Sequence, residues 1–428
     1  MFASPSRLDL YFVLGPNQKG DMNTIMSRRH SPPLPIEIDF NGWFESWGKS
    51  VTTKEMDRIL AALKQPDRIR GITLTGSADD LNKLFKATRR PFPALENLAL
   101  CERNYERLNI PAAFLKGTDL HLRTLRLQHV SLPSISRFLS SAPALTDLTL
   151  VLHTKVGPPP VMSLLSYFRG MPCLRRLELE IEGKIDGLLQ STKPEEKFPL
   201  AKLTSFHYHG YSAFLNTLVA AVTAPSIREI NIDLYDTRTV PLISHLPRFI
   251  DGIGELYRAV QVSMDRNCFH FLLFTQSEYV GRHSPHLRLC TNRFFESVMH
   301  TSNAFSTMVT AAEELVLVFA CPRRPVANVR WHMFLQHFRS LKTLRILDPY
   351  YFIASAFHPD HGGLNPGFLP ALETIEICRH LWYHDSESNE SEREEELAAF
   401  ELFASARQQA GLQVEVVKSN REINDVLR

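Results

Sequence analysis

One pattern of apolar and polar positions recurs along most of the chain: apolar-x-x-apolar-x-apolar, often with a proline two residues ahead. It reads Ile69-x-x-Ile72-x-Leu74, then Leu95-x-x-Leu98-x-Leu100 after Pro93, and Leu122-x-x-Leu125-x-Leu127. Leu145-x-x-Leu148-x-Leu150 follows Pro143, Leu174-x-x-Leu177-x-Leu179 follows Pro172, and Leu203-x-x-Phe206-x-Tyr208 comes next. Ile227-x-x-Ile230-x-Ile232 follows Pro225 and closes a first block. The pattern returns as Ala312-x-x-Leu315-x-Leu317, Leu341-x-x-Leu344-x-Ile346 and, after Pro370, Leu372-x-x-Ile375-x-Ile377. Steps within the first block are 26, 27, 23, 29, 29 and 24 residues, and in the last block 29 and 31. A leucine-rich repeat takes about 20–29 residues, so the period matches, slightly long and irregular.

The apolar-x-apolar end of each copy alternates at period two, which puts two side chains on one face of a short strand. The first apolar residue, three earlier, enters the same core as the chain turns into that strand. The proline ahead suits a strand entry, where no amide is needed and the preceding residue is held extended. One copy cannot bury its apolar face alone; parallel neighbours stacked on it do so together. Between the strands lie helix-like segments. Residues 79–87 open with Asp79 as N-cap and place Leu81, Leu84 and Phe85 on one face. Residues 134–140, 161–171 and 213–224 read the same way. The expected fold is α/β: a leucine-rich-repeat-like curved solenoid with parallel strands on the concave face and helices outside.

Two places break the regularity. From Ile227 to Ala312 the step is 85 residues. Residues 260–262, 269–274 and 287–289 are expected strands within it, with Phe271-Leu272-Leu273 set to form a hairpin with Val260-x-Val262. At the other end, residues 385–396 are an acidic run, read as a solvated loop or helix start, with carboxylates suited to a helix N-terminus. Residues 397–409 then read as a helix and 412–417 as a last strand. The organisation expected is a strand/helix cap region at 1–65, the irregular solenoid at 66–384, and an acidic loop with a helix-and-strand cap at 385–428.

Composition narrows the function classes. Of 428 residues, 44% are hydrophobic and 22% charged, the profile of a folded protein. Lys plus Arg is 48 and Asp plus Glu 46, so a net charge of +2 gives no whole-chain attraction to nucleic acid or an acidic membrane. Six cysteines are scattered singly at 101, 173, 268, 290, 321 and 378, which suits small buried hydrophobes in a reducing compartment rather than a disulfide scaffold. Charges at Arg7 and Asp9 interrupt any apolar leader. No apolar run approaches a membrane span. The expected location is intracellular, cytoplasmic or nuclear.

No constellation for chemistry stands out. There is no GxSxG elbow, no P-loop, no GxGxxG after a strand and no HExxH. His207-x-His209 puts two imidazoles on one strand face but brings no third ligand, so it reads as binding surface. His358-Pro359-Asp360-His361 reads as a turn, and the group His380, Trp382, Tyr383 and His384 as packing or a partner contact. Ser27–His30 and Cys321–Arg324 are too brief for a nucleic-acid stripe. No enzyme, cofactor or metal is expected.

The stretch Pro33-Leu34-Pro35-Ile36-Glu37-Ile38-Asp39-Phe40, the segment ILAALKQPDRIR at 59–70 and Phe92-Pro93-Ala94-Leu95-Glu96-Asn97-Leu98 together resemble basidiomycete F-box proteins with irregular leucine-rich repeats. The resemblance runs from about residue 8 to the end. It implies the plan of a substrate receptor for an SCF-type ubiquitin ligase, in which an F-box holds the adaptor and the repeats hold the substrate. Leu34-Pro35-Ile36-Glu37 matches the LPxE opening of an F-box, but 36–40 alternates like a strand instead of starting a helix. Residues 8–12 resemble the strand that follows an F-box, and 22–30 reads as a short helix. The F-box itself is expected to be absent from this chain, so adaptor and cullin binding would need one upstream. The alternative is a stand-alone repeat scaffold.

The geometry of the repeat then places the residues just before and between each buried pair on the concave face. The partner-contacting set expected from this is Arg126, Asp147, Arg176, Glu178, His207, Glu229, Asn231, Arg345 and Glu376, centred on Arg176 to Asn231. Mixed signs and hydrogen-bonding groups suit a protein partner better than a polyanion.

Overall fold

The computed structural model describes residues 12–14, 35–41, 53–88, 90–104, 106, 108–111, 114, 121–140, 142–153, 161–182, 197–235, 245–250, 257–264, 269–275, 285–291, 306–319, 331–347, 351–357, 367–378 and 390–419. The expected helix at 22–30 and the polar groups at 27–30, 321–324, 358–361 and 380–384 lie outside them. The chain forms two compact units, Met1–Ser205 and Phe206–Arg428.

In the first unit the strands are β1 (Phe12–Leu14), β2 (Ile36–Asn41), β3 (Ile69–Gly76), β4 (Asn97–Glu102), β5 (Thr124–Gln128), β6 (Asp147–His153), β7 (Arg176–Glu182) and the two-residue β8 (Phe198–Pro199). β1 to β7 pair in sequence order, each parallel to the next. Helices Thr53–Leu63, Ala78–Ala87, Leu132–Ser140 and Val161–Arg169 return the chain between strands. The helix expected to open on Asp79 as N-cap starts two residues earlier, at Ala78. Its N-cap is Ser77, whose hydroxyl oxygen accepts from the Asp80 amide at 3.2 Å.

The second unit contains β9 (Ser205–Gly210, beginning on the last residue of the first unit), the short β10 (Val222–Thr223), β11 (Glu229–Leu234), β12 (Ala259–Met264), β13 (Phe269–Phe274), β14 (Leu287–Thr291), β15 (Glu314–Phe319), β16 (Thr343–Leu347), β17 (Thr374–Cys378) and β18 (Glu415–Ser419). The order of its main strands is β9-β11-β14-β13-β12-β15-β16-β17-β18. The expected hairpin is present: β12 and β13 pair antiparallel, with Val260 opposite Leu273 and Val262 opposite Phe271. β13 is also antiparallel to β14, and β14 is parallel to β11. Thus the 85-residue step holds an S-shaped insertion between parallel strands. The last helix, Glu390–Gln409, begins inside the acidic run, which supplies its first turns.

All thirty apolar positions of the ten motif copies are buried, none more than 3% exposed. The preceding prolines have a more specific role than strand entry. Phe92 carbonyl accepts from Leu95 amide, Ala142 from Leu145, Met171 from Leu174, Ala224 from Ile227 and Leu369 from Leu372, all at 3.1–3.2 Å. These are β-turns with Pro93, Pro143, Pro172, Pro225 and Pro370 at the second position, where the ring presets φ. Both ends of each turn are buried apolar side chains, so the turn drops two residues into one core layer. The next residue then bonds across to the neighbouring copy: Glu96 amide to Arg70 carbonyl at 2.8 Å, Thr146 to Arg123 at 2.8 Å and Arg175 to Thr146 at 2.7 Å.

Candidate functional site

In the first unit the strand positions that alternate with the buried ones lie in register across the sheet. One row runs Glu37, Gly71, Asn97, Thr124, Asp147, Arg176; the next runs Asp39, Thr73, Ala99, Arg126, Thr149, Glu178. Asp39, Thr73, Asn97, Thr124, Arg126 and Arg176 are exposed and the others half-buried, apart from the buried Gly71. Gly71 gives way to its neighbour: a Cβ there would meet Glu37 Cγ at 3.2 Å, so the glutamate stem lies across it. The face is open and mostly polar. A third row, Thr75, Cys101, Gln128, Val151 and Glu180, is less exposed, and Val151 is buried.

Some side chains of this face bond to one another across neighbouring strands. Thr149 Oγ1 donates to Glu178 Oε2 at 3.2 Å, and Thr146 Oγ1 to Asp147 Oδ2 at 2.6 Å. The Cys101 thiol reaches Gln128 Oε1 at 2.9 Å. Burial pushes that thiol's pKa up, against the pull of the Arg126 and Arg103 charges, so it is no ready nucleophile.

The carboxyl ends of the same strands close on a buried polar knot. His129, in the left-handed region at φ 57°, turns its ring back so that Nδ1 donates to the Glu102 carbonyl oxygen at 2.7 Å. Its Nε2 lies 3.0 Å from Glu182 Oε2. The Glu102 carboxylate is fully buried and accepts the amides of Asn104 and Glu106, each at 2.8 Å. With only 2% of His129 exposed, this is a clamp joining the ends of β4 and β7 rather than a substrate contact. At the opposite edge, Arg70, Glu96, His121 and Arg123 line a pocket of about 300 Å³ with Pro93, Ala94 and Ala144.

The second unit treats the equivalent positions differently. Ala259, Phe274, Val316, Val318, Leu347 and Cys378 alternate with the inward motif residues, yet they form a second buried apolar cluster. Arg345 and Glu376, expected on an open face, sit beside it in an ion network: Arg345 Nη1 lies 3.0 Å from Glu314 Oε1, and Arg345 Nε lies 2.9 Å from Glu376 Oε2. Burial raises the Glu314 carboxyl pKa, Arg345 pulls it back and Glu376 adds to the rise. His207 Nε2 is 3.3 Å from Glu229 Oε1, and the His209 ring lies tilted against Tyr235 at 4.3 Å between centroids. Asn231 shares the sheet row of Arg288, one strand over.

Of the nine expected contact residues, Arg126, Asp147, Arg176 and Glu178 therefore share the open face of the first unit. His207, Glu229, Asn231, Arg345 and Glu376 belong to the second. Glu37, Asp39, Thr73, Glu180 and Glu182 were not among those expected, though they lie on the first unit's face. Their signal was the same alternation, in 36–40 before the first motif copy, between Ile72 and Leu74 within it, and in 180–182 beyond the end of another. Among the described residues, no group of three or more His, Cys, Asp or Glu could hold a metal ion, and no helix is long and apolar enough to cross a membrane. Cys290 and Cys378 are buried and Cys101 and Cys173 half-buried, all four as thiols, while Cys268 and Cys321 lie outside the described residues.

No protein-family model matches the chain, and no curated protein matches it. Among solved structures it is similar to a chain of the crystal structure of the TLR13–ssRNA13 complex, at 12% identity and a TM-score of 0.30. That similarity covers 81% of this chain and 42% of the other, so the chain spans less than half the length of the protein it matches.

Proposed function

We propose that this chain is a non-enzymatic, leucine-rich-repeat-like solenoid that binds another protein through its outward strand face. The observation that carries the reading is the open face of β2 to β7. Its polar side chains stand in register on strands whose other side is dry, which fixes their positions without a mobile backbone. Direct hydrogen bonding and mixed charge over such a surface suit a folded or extended protein partner.

The sequence resemblance adds a narrower proposal, that the chain is the substrate-recognition part of an F-box receptor in an SCF-type ubiquitin ligase. One observation favours the stand-alone scaffold instead: Ile36–Asn41, at the LPxE-like match, is strand β2 paired with β1 and β3. Affinity purification of the tagged chain from its native source, followed by mass spectrometry, separates the two. Recovery of a cullin and its adaptor supports the receptor. Reproducible recovery of other proteins without them supports the scaffold. If Thr124→Trp on the open face leaves every recovered partner unchanged, the binding-face reading fails.

A further inference from the structure

The open face of the first unit has a charge distribution that differs from that of the chain. The outward positions of its strands carry six carboxylates, Glu37, Asp39, Asp147, Glu178, Glu180 and the His129-bound Glu182, against two guanidiniums, Arg126 and Arg176, with Arg70 at the amino end of β3 and the buried Glu102 outside these rows, although the chain as a whole is +2. The acids gather on the two flanking sides: Glu37 and Asp39 on β2, and Glu178, Glu180 and Glu182 on β7. Between them the floor is low and uncharged at Thr73, Asn97, Ala99 and Thr124 on β3 to β5, with Arg126 on β5 and Asp147 on β6 as its charged residues. Asp147 and Arg176 are opposite each other across β6 and β7, so part of the positive charge is already balanced. Strands are spaced about 4.8 Å, so the five intervals from β2 to β7 set the two acidic sides about 24 Å apart along the sheet.

Resting on the protein-binding reading above, we propose that this face docks a basic segment of a partner protein, with Lys or Arg near both ends and small or uncharged residues between. The low floor lets a partner backbone approach closely, and the flanking carboxylates meet its charges. A separation of about 24 Å corresponds to about seven residues of extended chain. The same charge pattern repels a polyanion, so nucleic acid is disfavoured on this face. The equivalent rows on β12, β13 and β15 to β17 have no comparable opening, because Phe274, Val316, Val318 and Leu347 fill them with buried apolar side chains.

The test is an unbiased selection of random displayed peptides, about twelve residues long so as to exceed that span, on the purified full chain. Parallel selections use Asp39→Lys/Glu178→Lys and Thr124→Trp, with thermal unfolding confirming that both variants remain folded. Enriched peptides are expected to be net positive. A synthesised winner should bind at least about tenfold more weakly to the double variant, and its binding should weaken with added salt. Enriched peptides that are uncharged or acidic, yet still lost on Thr124→Trp, would overturn the basic partner while leaving the docking face standing. Enrichment indifferent to Thr124→Trp, or no enrichment on any of the proteins, would overturn both.

Discussion

Arg407 offers a direct measure of how the second unit is closed at its end. It lies on the last helix and is only 3% exposed. Its guanidinium donates from Nη1 to the carbonyls of Phe368 and Leu369, both at 2.9 Å, and from Nη2 to that of Pro370 at 3.0 Å. Those carbonyls belong to the turn that leads into β17, where Leu369 sits in the left-handed region at φ 50°. The Phe403 ring stacks under the guanidinium at 5.7 Å and also meets Phe357 at 5.0 Å. Burial lowers the Arg407 pKa, so part of the attraction is spent on desolvation. Arg407→Met keeps much of the apolar stem but leaves the Phe368 and Pro370 carbonyls without this donor, at about 1–3 kcal/mol for each buried group left unsatisfied, while the Leu369 carbonyl keeps the Leu372 amide. Since these terms do not add fully and desolvation is relieved, the expected loss is about 3 kcal/mol, or a fall of roughly 6–12 °C in melting temperature for a unit of this size. Urea unfolding gives the magnitude, and hydrogen exchange over 390–419 gives the location. Arg407→Lys should recover only part, because one ammonium cannot span three carbonyls as a planar fork does. A variant within about 0.5 kcal/mol of the parent, with exchange at the last helix unchanged, would refute the argument.

The pKa of Glu314 makes a claim about pH. Burial raises the carboxyl from 4.5, so the folded state holds its proton longer than the unfolded one. Stability from this group is therefore greatest below about 4.5 and falls as pH rises through the raised folded value, then levels. Glu314→Gln should remove that fall; a parent-minus-variant difference flat across urea midpoints from acid to neutral pH would count against it. The two units' second faces can be compared by substitution: Val316→Asp should cost about 3 kcal/mol or more by burying a charge, and Thr124→Asp less than about 1 kcal/mol. Equal effects in denaturant titrations would show that the faces do not differ as described. Replacing Pro172 by Ala should cost about 0.5–1 kcal/mol through a freer unfolded chain, with native hydrogen-exchange protection at Leu174 retained. His129→Ala should lower stability by about 2–4 kcal/mol, since it strands the acceptors of Glu102 and Glu182 around a buried gap. No change in melting temperature would mean the knot joining β4 and β7 is idle.

Which side chains turn inward can be read from the order of residues alone. Period-two alternation after a fixed lead residue is enough, because a strand has only two faces and a parallel stack must hide one of them. Hence the ten copies, the parallel strands and the β12–β13 hairpin were legible, the last from two apolar runs separated by a short polar stretch. Alternation does not state whether the other face meets water. In 314–319 the run Leu315-Val316-Leu317-Val318 is apolar on both phases, a sign of a strand buried twice, whereas Arg345 and Glu376 alternate as if exposed. That Arg345 bridges Glu314 and Glu376 beside an apolar cluster emerges only in three dimensions, because it depends on neighbours about thirty residues away. The knot at His129 was hidden for the same reason. A left-handed turn at one residue and two carboxylates from other copies meet only once the strands are stacked. Register then decided the rest: Glu37 and Asp39 join Asp147 and Glu178 on one face because each strand advances in step with the last, and no window of local sequence contains that alignment.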